Sequence, residues 1–462
     1  MKIEDLKKKK IHLIGVSGAE GSSLALFLIR LGCRNLTGHD FKTKNDFLKS
    51  FFAYHENLSA ANQRSYFKEI KNGLKKINFK DRYLKGLAEA EIIFAPASHF
   101  RYPQNRPLKK YQAGKKIKFW SWYNLLLEFF PGTIIGVTGT AGKGTATNLI
   151  YRILKQAGKK VFLVGESWQF ADWQKIFQSN KEGVVVAEIS NRTLTFAPAS
   201  KKSPSLAIIT NIFPNHLDDH QNSFKRYLRT KLELVRYQKK GEWAIINRDD
   251  AVLKKLKWPG YTVFYSLKNK NDLKLIDNDY LKNYPHLKSD CLAAVQAAKI
   301  LKISPSAIKK AIKNFKPRTA RLQTVRRLKG VTFINDAAAT RPKATIFAVN
   351  SLPKNKVILI LEGSRKIPLK KEFMELLATV KKQRVKKILL SGQIRNFLKP
   401  LFQKTRLNYQ ITPDLAGSIK QAWQDAQKDD VILLSPACES FGEFRDYRAR
   451  SEKFVNLVKK LK

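Results

Sequence analysis

Short apolar runs recur along the whole chain, separated by stretches whose apolar positions follow a helical period. A short apolar run bounded by turn residues predicts a buried strand, whereas the helical period predicts an amphipathic helix. Strands that alternate with helices indicate an α/β fold with mostly parallel sheets. The predicted strands are residues 10–16, one that ends at 37–40, and 92–98, 134–138, 183–188, 206–211, 243–247, 331–336, 356–361, 387–390 and 431–434.

Two breaks in this alternation predict three α/β domains. The first break falls near residue 117, after Gly114, and the second falls in a proline-containing stretch at 314–319. The three predicted domains are a Rossmann-like N-terminal domain (1–117), a central domain with a parallel sheet of the P-loop ATPase type (118–317) and a C-terminal Rossmann-like domain (318–462).

The clearest chemical signal is the glycine-rich stretch that follows the strand at 134–138. Glycines let backbone N–H groups close around a phosphate, and a helix N-terminus adds partial positive charge. Lys143 stands where a P-loop lysine binds the β- and γ-phosphates, and Thr145 supplies a hydroxyl one position later than usual. An ordinary tight turn is the alternative. The candidate ATP-binding residues here are Gly139, Thr140, Gly142, Lys143, Gly144 and Thr145.

Two further candidates lie at strand ends of the central domain. Glu188 ends the strand at 183–188, and His216 follows the strand at 206–211. Functional groups gather at the carboxyl ends of parallel strands. A carboxylate and an imidazole near phosphates can hold Mg²⁺, although either residue alone is also compatible with a structural role.

The N-terminal segment begins with a strand, a glycine-rich turn and a helix. Its spacing is GxxGxxG rather than GxGxxG, so it is weak evidence for a bound dinucleotide. An acidic residue at the end of the second strand can meet a ribose or a base edge. The candidate substrate-binding residues of this domain are Gly15, Ser17, Asp40 and Ser98.

The formal net charge of +51 raises the possibility of a nucleic-acid partner. The lysines are scattered along nearly every segment, however, and no zinc-finger, helix-turn-helix or RNA-recognition signature accompanies them. A lysine-rich surface with non-specific affinity for polyanions is the simpler interpretation. The three cysteines form no CxxC pair, no apolar run reaches the length of a membrane span, and the run at 11–16 is too short for a signal peptide. We therefore expect a cytoplasmic protein.

Taken together, the motifs resemble those of the Mur ligase family over nearly the whole chain. Residues 139–143 resemble the ATP loop of the family, 186–190 its Mg²⁺-binding strand and 211–218 its histidine motif. Lys231, fifteen residues after His216, matches the lysine that members carry as a carbamate. Residues 434–447 and 335–340 are similar to motifs of the members that add D-glutamate.

The resemblance implies a role for each matching residue. The implied catalytic residues are Lys143, Lys231, His216 and Lys366, and the implied ligands of two Mg²⁺ ions are Thr145, Glu188, His216 and carbamylated Lys231. Further ATP contacts are implied for Asp290, Arg321 and Asp336. Further substrate contacts are implied for Ser190, Thr340, Ser440, Phe441 and Tyr447.

The resemblance also implies an activity. It is that of an ATP-dependent ligase that converts the carboxylate of UDP-N-acetylmuramoyl-L-alanine into an acyl phosphate and joins it to D-glutamate. ATP and Mg²⁺ are the expected cofactors. We expect a monomer with no specific nucleic-acid partner and no membrane span.

Two single residues and two short segments depart from the family pattern. Ala338 stands where D-glutamate-adding members have a lysine, and Asp290 stands where the family has an asparagine. Residues 165–167 replace a Gly-Asn segment, and 191–193 replace a Phe-Gln pair. Lys343 or Arg341 is a candidate to compensate for Ala338.

Two alternatives remain open at this point. A folylpolyglutamate-type ligase is favoured by the Lys-Gly-Thr ending of the phosphate loop and opposed by the N-terminal domain and the motif at 434–447. A basic nucleic-acid-binding protein is the alternative that is not an enzyme.

Overall fold

The fold is taken from a computed structural model, which describes residues 1–56, 58–114, 116–165, 171–215, 217–317, 319–364, 370–440 and 442–462. Within these ranges the strands form three sheets of five, six and six strands. Every pair of neighbouring strands is parallel except the pair at one edge of the third sheet. The predicted α/β fold class with mostly parallel sheets is confirmed.

The first sheet has the strand order β3-β2-β1-β4-β5. Its strands are β1 (Ile11–Ile14), β2 (Leu36–His39), β3 (Lys76–Asn78), β4 (Ile92–Phe94) and β5 (Lys118–Trp120). The helices that accompany it are α1 (Ala19–Leu31), α2 (Lys44–Tyr54), α3 (Ala60–Gly73) and α4 (Lys109–Ala113).

The second sheet has the order β11-β10-β9-β6-β8-β7 and carries the glycine-rich stretch. Its strands are β6 (Thr133–Thr138), β7 (Val161–Val164), β8 (Val184–Glu188), β9 (Leu206–Ile209), β10 (Trp243–Asn247) and β11 (Tyr261–Tyr265). The helices between residues 121 and 317 are α5 (Trp122–Phe129), α6 (Lys143–Gln156), α7 (Trp173–Phe177), α8 (Asn191–Leu194), α9 (Ala197–Ser200), α10 (Phe224–Leu232), α11 (Lys270–Leu273), α12 (Asn278–Asn283), α13 (Lys288–Ile300) and α14 (Pro305–Lys313).

The third sheet has the order β12-β13-β17-β14-β15-β16, with β12 antiparallel to β13. Its strands are β12 (Gln323–Leu328), β13 (Val331–Asn335), β14 (Val357–Glu362), β15 (Lys387–Leu390), β16 (Tyr409–Ile411) and β17 (Val431–Ala437). Its helices are α15 (Pro342–Asn350), α16 (Lys370–Lys382), α17 (Ile394–Gln403), α18 (Leu415–Asp425) and α19 (Tyr447–Lys460).

Short 3₁₀ helices join these elements. They are Ile3–Lys8, Lys80–Arg82, Leu87–Glu89, His99–Arg101, Pro103–Leu108, Asn180–Glu182, Leu217–His220, Leu253–Lys255 and Pro285–Leu287. No helix among the described residues is both long enough and apolar enough to cross a bilayer.

The strands missed by the sequence pattern are the two edge strands of each sheet: β3, β5, β7, β11, β12 and β16. An edge strand has a neighbour on one side only and is partly exposed, so most of these strands carry polar residues, although β7 has the apolar sequence Val-Phe-Leu-Val. Strand β5 is an example, because its sequence is Lys-Phe-Trp and its lysine is exposed. The apolar stretch at 120–130 predicts a helix that begins at Trp120, but the helix begins at Trp122, where Ser121 caps it.

The apolar face of α6 shows how the core positions the glycine-rich stretch. Ala146, Leu149, Ile150 and Ile153 recur at helical spacing and are at most 1% exposed. Burial of one such leucine or isoleucine stabilises the fold by about 1.5–3 kcal/mol. The helix is thereby held against the sheet, with its first turn at the carboxyl end of β6.

Contacts divide the chain into two compact units, residues 1–278 with 287–315, and residues 279–286 with 316–462. Within the first unit the first two sheets share an apolar core, in which Phe27 stacks on Phe177 and Trp122 stacks on Trp173. The exact domain boundaries at residues 117 and 317 stay predictions.

Candidate active site

The glycine-rich stretch forms a tight loop between β6 and α6. Gly142 has a φ of 80°, in the left-handed region, and Gly139 has a φ of 154°. A Cβ at Gly139 would lie 2.0 Å from Thr210 Oγ1, and one at Gly142 would lie 2.2 Å from Asp290 Oδ1. Both positions therefore require glycine.

Lys143 is the first residue of α6, and its Nζ donates a hydrogen bond to Thr140 O at 3.1 Å. Two threonines follow it in the first turns of the helix. Thr147 is fully buried and its Oγ1 donates to Lys143 O at 2.7 Å, whereas Thr145 is partly exposed. Thr145 is therefore the more exposed of the two hydroxyl residues, and its role as a ligand of Mg²⁺ stays a prediction.

Asn211, which follows the neighbouring strand β9, fixes the loop from the side. Its Oδ1 accepts a hydrogen bond from Ala141 N at 2.8 Å, and its Nδ2 donates to Ala141 O at 3.1 Å. Its backbone carbonyl accepts from Thr140 N at 2.9 Å. The sequence places Asn211 in the histidine motif but does not predict that it supports the loop.

Helix α10 brings Tyr227 and Lys231, one turn apart, against the same loop. The Tyr227 hydroxyl lies 2.9 Å from Thr140 Oγ1, and burial raises the pKa of this phenol to about 12. Tyr227 is therefore a neutral hydrogen-bonding partner of the loop at physiological pH. The contact to Thr140 joins residues 87 positions apart, and no sequence motif marks it.

Lys231 is only 1% exposed. Its Nζ donates to Thr138 Oγ1 at 3.1 Å and to Gly139 O at 3.0 Å. Burial lowers the pKa of Lys231 well below its usual value, the Lys143 cation lowers it further, and Glu188 opposes both effects. The environment thus favours the neutral amine, which is the form of lysine that reacts with CO₂.

Glu188 ends β8, on the opposite side of β6 from β9, and pairs in register with Val137. Its carboxylate is near enough to Lys231 to act on the charge of that residue. Among the described residues no group of three or more His, Cys, Asp and Glu side chains is arranged to hold a metal ion. One carboxylate and one hydroxyl beside a phosphate loop nevertheless fit Mg²⁺, which takes few protein ligands and is bound mainly through phosphates and water.

Asp290 lies in the first turn of α13, with its carboxyl group against Gly142. Burial raises the pKa of this carboxyl to about 8, although the Lys143 cation opposes the increase. The neutral acid therefore predominates at pH 7, and a neutral carboxyl group can donate a hydrogen bond as an asparagine amide does. This property fits the position, where the family pattern has an asparagine.

The N-terminal candidates lie at the carboxyl ends of the adjacent strands β2, β1 and β4. Gly15 has a φ of 69°, and Ser98 follows β4. Asp40 is 1% exposed, and its carboxylate accepts hydrogen bonds from Ser17 N at 2.9 Å and from Lys42 N at 3.1 Å. In this structure Asp40 fixes the glycine-rich turn of β1.

The C-terminal candidates lie at the carboxyl ends of strands β13 and β17, adjacent in the third sheet. Asp336 accepts from Ser435 Oγ at 2.7 Å and from Leu322 N at 3.2 Å, and burial raises its pKa to about 7. Arg321 is exposed and acts on the charge of Asp336. Ser440 is 3% exposed, and Tyr447 begins α19.

Arg450 connects several strand ends at this edge of the third sheet, and no sequence motif marks it. It is fully buried, and its Nη1 lies 3.0 Å from Glu362 Oε2. Its Nη2 donates to Ala337 O at 2.9 Å and to Cys438 O at 3.1 Å. One guanidinium group therefore ties together the ends of β13, β14 and β17.

The structure describes two of the remaining candidates, and the others lie outside the described residues. Ser190 caps α8, and Thr340 N donates to Ala338 O at 3.0 Å. The candidates His216, Lys366 and Phe441, and Glu166 and Ser167 of the departing segment, lie outside the described residues.

Comparison with known families gives two matches. The Mur ligase middle domain matches residues 137–303, which include the phosphate loop, Glu188 and Lys231. The Mur ligase, glutamate ligase domain matches residues 320–438, which include Arg321 and Asp336.

Similar proteins include several named UDP-N-acetylmuramoylalanine–D-glutamate ligase. The protein of that name from Caldicellulosiruptor saccharolyticus is 31% identical over 353 residues, which cover 71% of this chain and 76% of that protein. The one from Clostridium acetobutylicum is 29% identical over 493 residues, which cover 100% of this chain and 98% of that protein.

Two solved structures share the fold. The MurF ligase of Thermotoga maritima, solved in complex with ADP, has a TM-score of 0.55 at 17% identity and covers 99% of this chain and 98% of its own. The UDP-N-acetylmuramate–alanine ligase of the same organism has a TM-score of 0.54 at 16% identity and covers 98% of this chain and 100% of its own.

Proposed function

Because this chain belongs to the Mur ligase family and is an ATP-dependent amide-bond-forming ligase, we propose that it joins D-glutamate to UDP-N-acetylmuramoyl-L-alanine. The observation that carries the chemistry is the preformed phosphate loop, with Lys143, Glu188 and the buried Lys231 gathered around it. The acceptor and the amino acid are proposed from the names of relatives aligned over nearly the whole chain. We propose a cytoplasmic location for this peptidoglycan-precursor reaction, because it consumes ATP.

The proposed reaction passes through an acyl phosphate. A carboxylate is a poor electrophile, so the γ-phosphate of ATP is first transferred to the carboxylate of the acceptor, and ADP leaves. The amine of the amino acid then attacks the acyl carbon, loses a proton, and displaces inorganic phosphate. Phosphoryl transfer depends mainly on positioning and on charge stabilisation. The loop N–H groups and Lys143 would supply both at the β- and γ-phosphates.

Mg²⁺, when bound, supplies neutralisation of phosphate charge. Thr145 and Glu188 would hold one ion, and His216 with carbamylated Lys231 would hold a second. Carbamylation joins the neutral Lys231 amine to CO₂ and releases a proton, so a buried side chain gains the negative charge that a cation needs. The low pKa of Lys231 supports this assignment.

The substrate contacts are proposed by domain. Gly15, Ser17 and Ser98 lie at adjacent strand ends and would face the nucleotide-sugar, with Asp40 as their support. Thr340, Lys366, Ser440, Phe441 and Tyr447 would face the amino acid or the muramoyl part. ATP contacts by Asp290, Arg321 and Asp336 belong to the same proposal.

The test is phosphate release from ATP in the presence of UDP-N-acetylmuramoyl-L-alanine and each of a panel of D- and L-amino acids. Release that depends on D-glutamate is the expected result and would show that Ala338 is compensated. Release with a different amino acid would retain the ligase chemistry and contradict the D-glutamate assignment. No release with any amino acid would contradict the proposed acceptor as well.

A further inference from the structure

Three segments that are distant in the sequence meet at the hydroxyl group of Thr140. In the stretch after β9, Phe213 N donates to Thr140 Oγ1 at 3.1 Å, and Phe213 O lies 3.0 Å from the same oxygen. The Tyr227 hydroxyl of α10 lies 2.9 Å from it. Thr140 is 8% exposed and Tyr227 is 1% exposed, so these contacts are shielded from water. One hydroxyl group thus connects the phosphate loop, the stretch after β9 and helix α10.

The direction of each hydrogen bond follows from the capacity of a hydroxyl group. A threonine hydroxyl has one hydrogen to donate and two lone pairs that accept. The Phe213 N–H occupies one lone pair, and the Phe213 carbonyl oxygen, which can only accept, takes the Thr140 hydrogen. The Tyr227 O–H then donates to the second lone pair, and this is the arrangement that satisfies all three contacts.

Both hydrogen-bond donors of Thr140 are therefore engaged within the protein. The hydroxyl hydrogen is donated to Phe213 O, and the backbone N–H donates to Asn211 O at 2.9 Å. The lone pairs of the hydroxyl oxygen are filled by Phe213 N–H and the Tyr227 O–H. A phosphate accepts hydrogen bonds and needs a donor, so the contribution of the Thr140 side chain is to hold the loop rather than to contact a ligand.

We propose that Tyr227 is a positioning residue, which acts through the Thr140 hydroxyl to hold the phosphate loop in the conformation that binds the nucleotide phosphates. The inference rests on the proposed role of this loop in ATP binding. A loop that is held in one conformation loses less conformational entropy when a ligand binds, so a lost support weakens binding. Neither the Tyr227 side chain nor the Thr140 side chain would touch the nucleotide.

The test is calorimetric titration of the full chain with a non-hydrolysable ATP analogue in the presence of Mg²⁺. Tyr227→Phe isolates the hydrogen bond, because it removes the hydroxyl group and keeps the ring. The ring also meets Lys231, whose Nζ lies 5.5 Å from the ring centroid, and phenylalanine retains that contact. We expect Tyr227→Phe to weaken binding of the analogue by about fivefold, which is typical of one lost hydrogen bond.

Two variants of Thr140 test whether Tyr227 acts through this hydroxyl group. Thr140→Ser keeps the hydroxyl and should bind the analogue within about twofold of the unsubstituted protein. Thr140→Val has a similar shape without the hydroxyl, and it should lose more than Tyr227→Phe because it also removes both contacts with Phe213. Adding Tyr227→Phe to Thr140→Val should weaken binding by less than about twofold, since the hydrogen bond is already absent.

A matched control separates positioning from general destabilisation. Tyr123 is a fully buried tyrosine of α5 in the same unit, so Tyr123→Phe removes a buried hydroxyl elsewhere and should leave the affinity unchanged. Amide exchange without a ligand gives a second readout, because the Thr140 N–H donates to Asn211 O and the Phe213 N–H donates to Thr140 Oγ1. These two amides should exchange faster in Tyr227→Phe, while amides of β10 should not.

Several results would overturn the inference. They are affinity within about twofold of the unsubstituted protein in Tyr227→Phe, an equal loss in Tyr123→Phe, a full further loss when Tyr227→Phe is added to Thr140→Val, or no binding of the analogue by the unsubstituted protein.

Lys143→Ala distinguishes failure of the inference from failure of the proposed function. If Lys143→Ala binds the analogue as tightly as the unsubstituted protein, the loop is not the phosphate site and the proposed function fails. If Lys143→Ala loses binding and Tyr227→Phe does not, only the role of Tyr227 is wrong. If the expected binding pattern is found but phosphate release does not depend on D-glutamate, the inference stands and only the proposed substrate is wrong.

Discussion

Replacement of Asp290 by asparagine should stabilise the first unit, by an amount that grows with pH. The carboxyl group lies against Gly142, and burial raises its pKa from 3.8 to about 8. A carboxyl whose pKa is raised on folding holds its proton in the folded state after the unfolded state has released it. The stability that this group contributes is therefore greatest at low pH and is lost as the pH rises from 3.8 towards 8.

The magnitude follows from the two pKa values. Each pH unit between them changes the free energy of unfolding by about 1.4 kcal/mol, so the unsubstituted protein should lose about 3 kcal/mol from this group between pH 5 and 7.5. The asparagine side chain has a similar size and carries no charge, so the Asp290→Asn variant lacks this loss. Its stability relative to the unsubstituted protein should therefore rise by about 3 kcal/mol over the same interval.

The assay is urea unfolding of both proteins at several pH values, followed by a signal of the first unit. The control is Glu182→Gln, an exposed position in the same unit, whose profile should follow that of the unsubstituted protein. A stability difference between Asp290→Asn and the unsubstituted protein that changes by less than about 1 kcal/mol over this interval would refute the reasoning. Binding of an ATP analogue gives a second check: its affinity should fall above pH 8 only in the unsubstituted protein, where a carboxylate then faces the phosphate loop.

Four further predictions concern other parts of the chain. Lys143→Ala should lose ATP-dependent phosphate release while keeping its thermal unfolding transition, and near-normal release would contradict the role of the loop. Lys231→Ala should lose activity that bicarbonate does not restore and a short-chain carboxylic acid partly restores; full activity without addition would remove the carbamate. Burial lowers the pKa of His12 to about 4 and of His39 to about 3, so the unfolded state binds protons first as the pH falls below 6.5. Urea unfolding should show a loss of about 4 kcal/mol from these two groups between pH 8 and 5, and double replacement by glutamine should remove that loss. Arg450→Met leaves a buried acidic partner without its cation and should cost about 3–5 kcal/mol in the second unit, measured by urea unfolding; a cost below about 1 kcal/mol would contradict the structural role.

The sequence by itself determined the interior of each sheet and the phosphate loop. Strands such as β6 and β14 have neighbours on both sides and lie in the buried centre of their sheets, so they are apolar through their middle, and such runs are visible without a structure. Gly139, Gly142, Lys143 and Thr145 lie within seven consecutive residues, so their spacing in the sequence already indicates that they are close together. In this loop, residues that are neighbours in the sequence are also neighbours in the structure.

Only the tertiary structure decided the edge strands and the contacts between distant residues. Strand β16 has one neighbour and a polar centre, so its identity depends on pairing with β15 and not on its own composition. Arg192 and Asp219 lie 27 positions apart, and Arg450 and Glu362 lie 88 positions apart. The sequence does not show whether a charged side chain is solvated or buried beside a partner. The packing of whole helices and strands determines which distant residues come into contact. The same packing lowers the pKa of Lys231 and raises the pKa of Asp290 by burying both side chains.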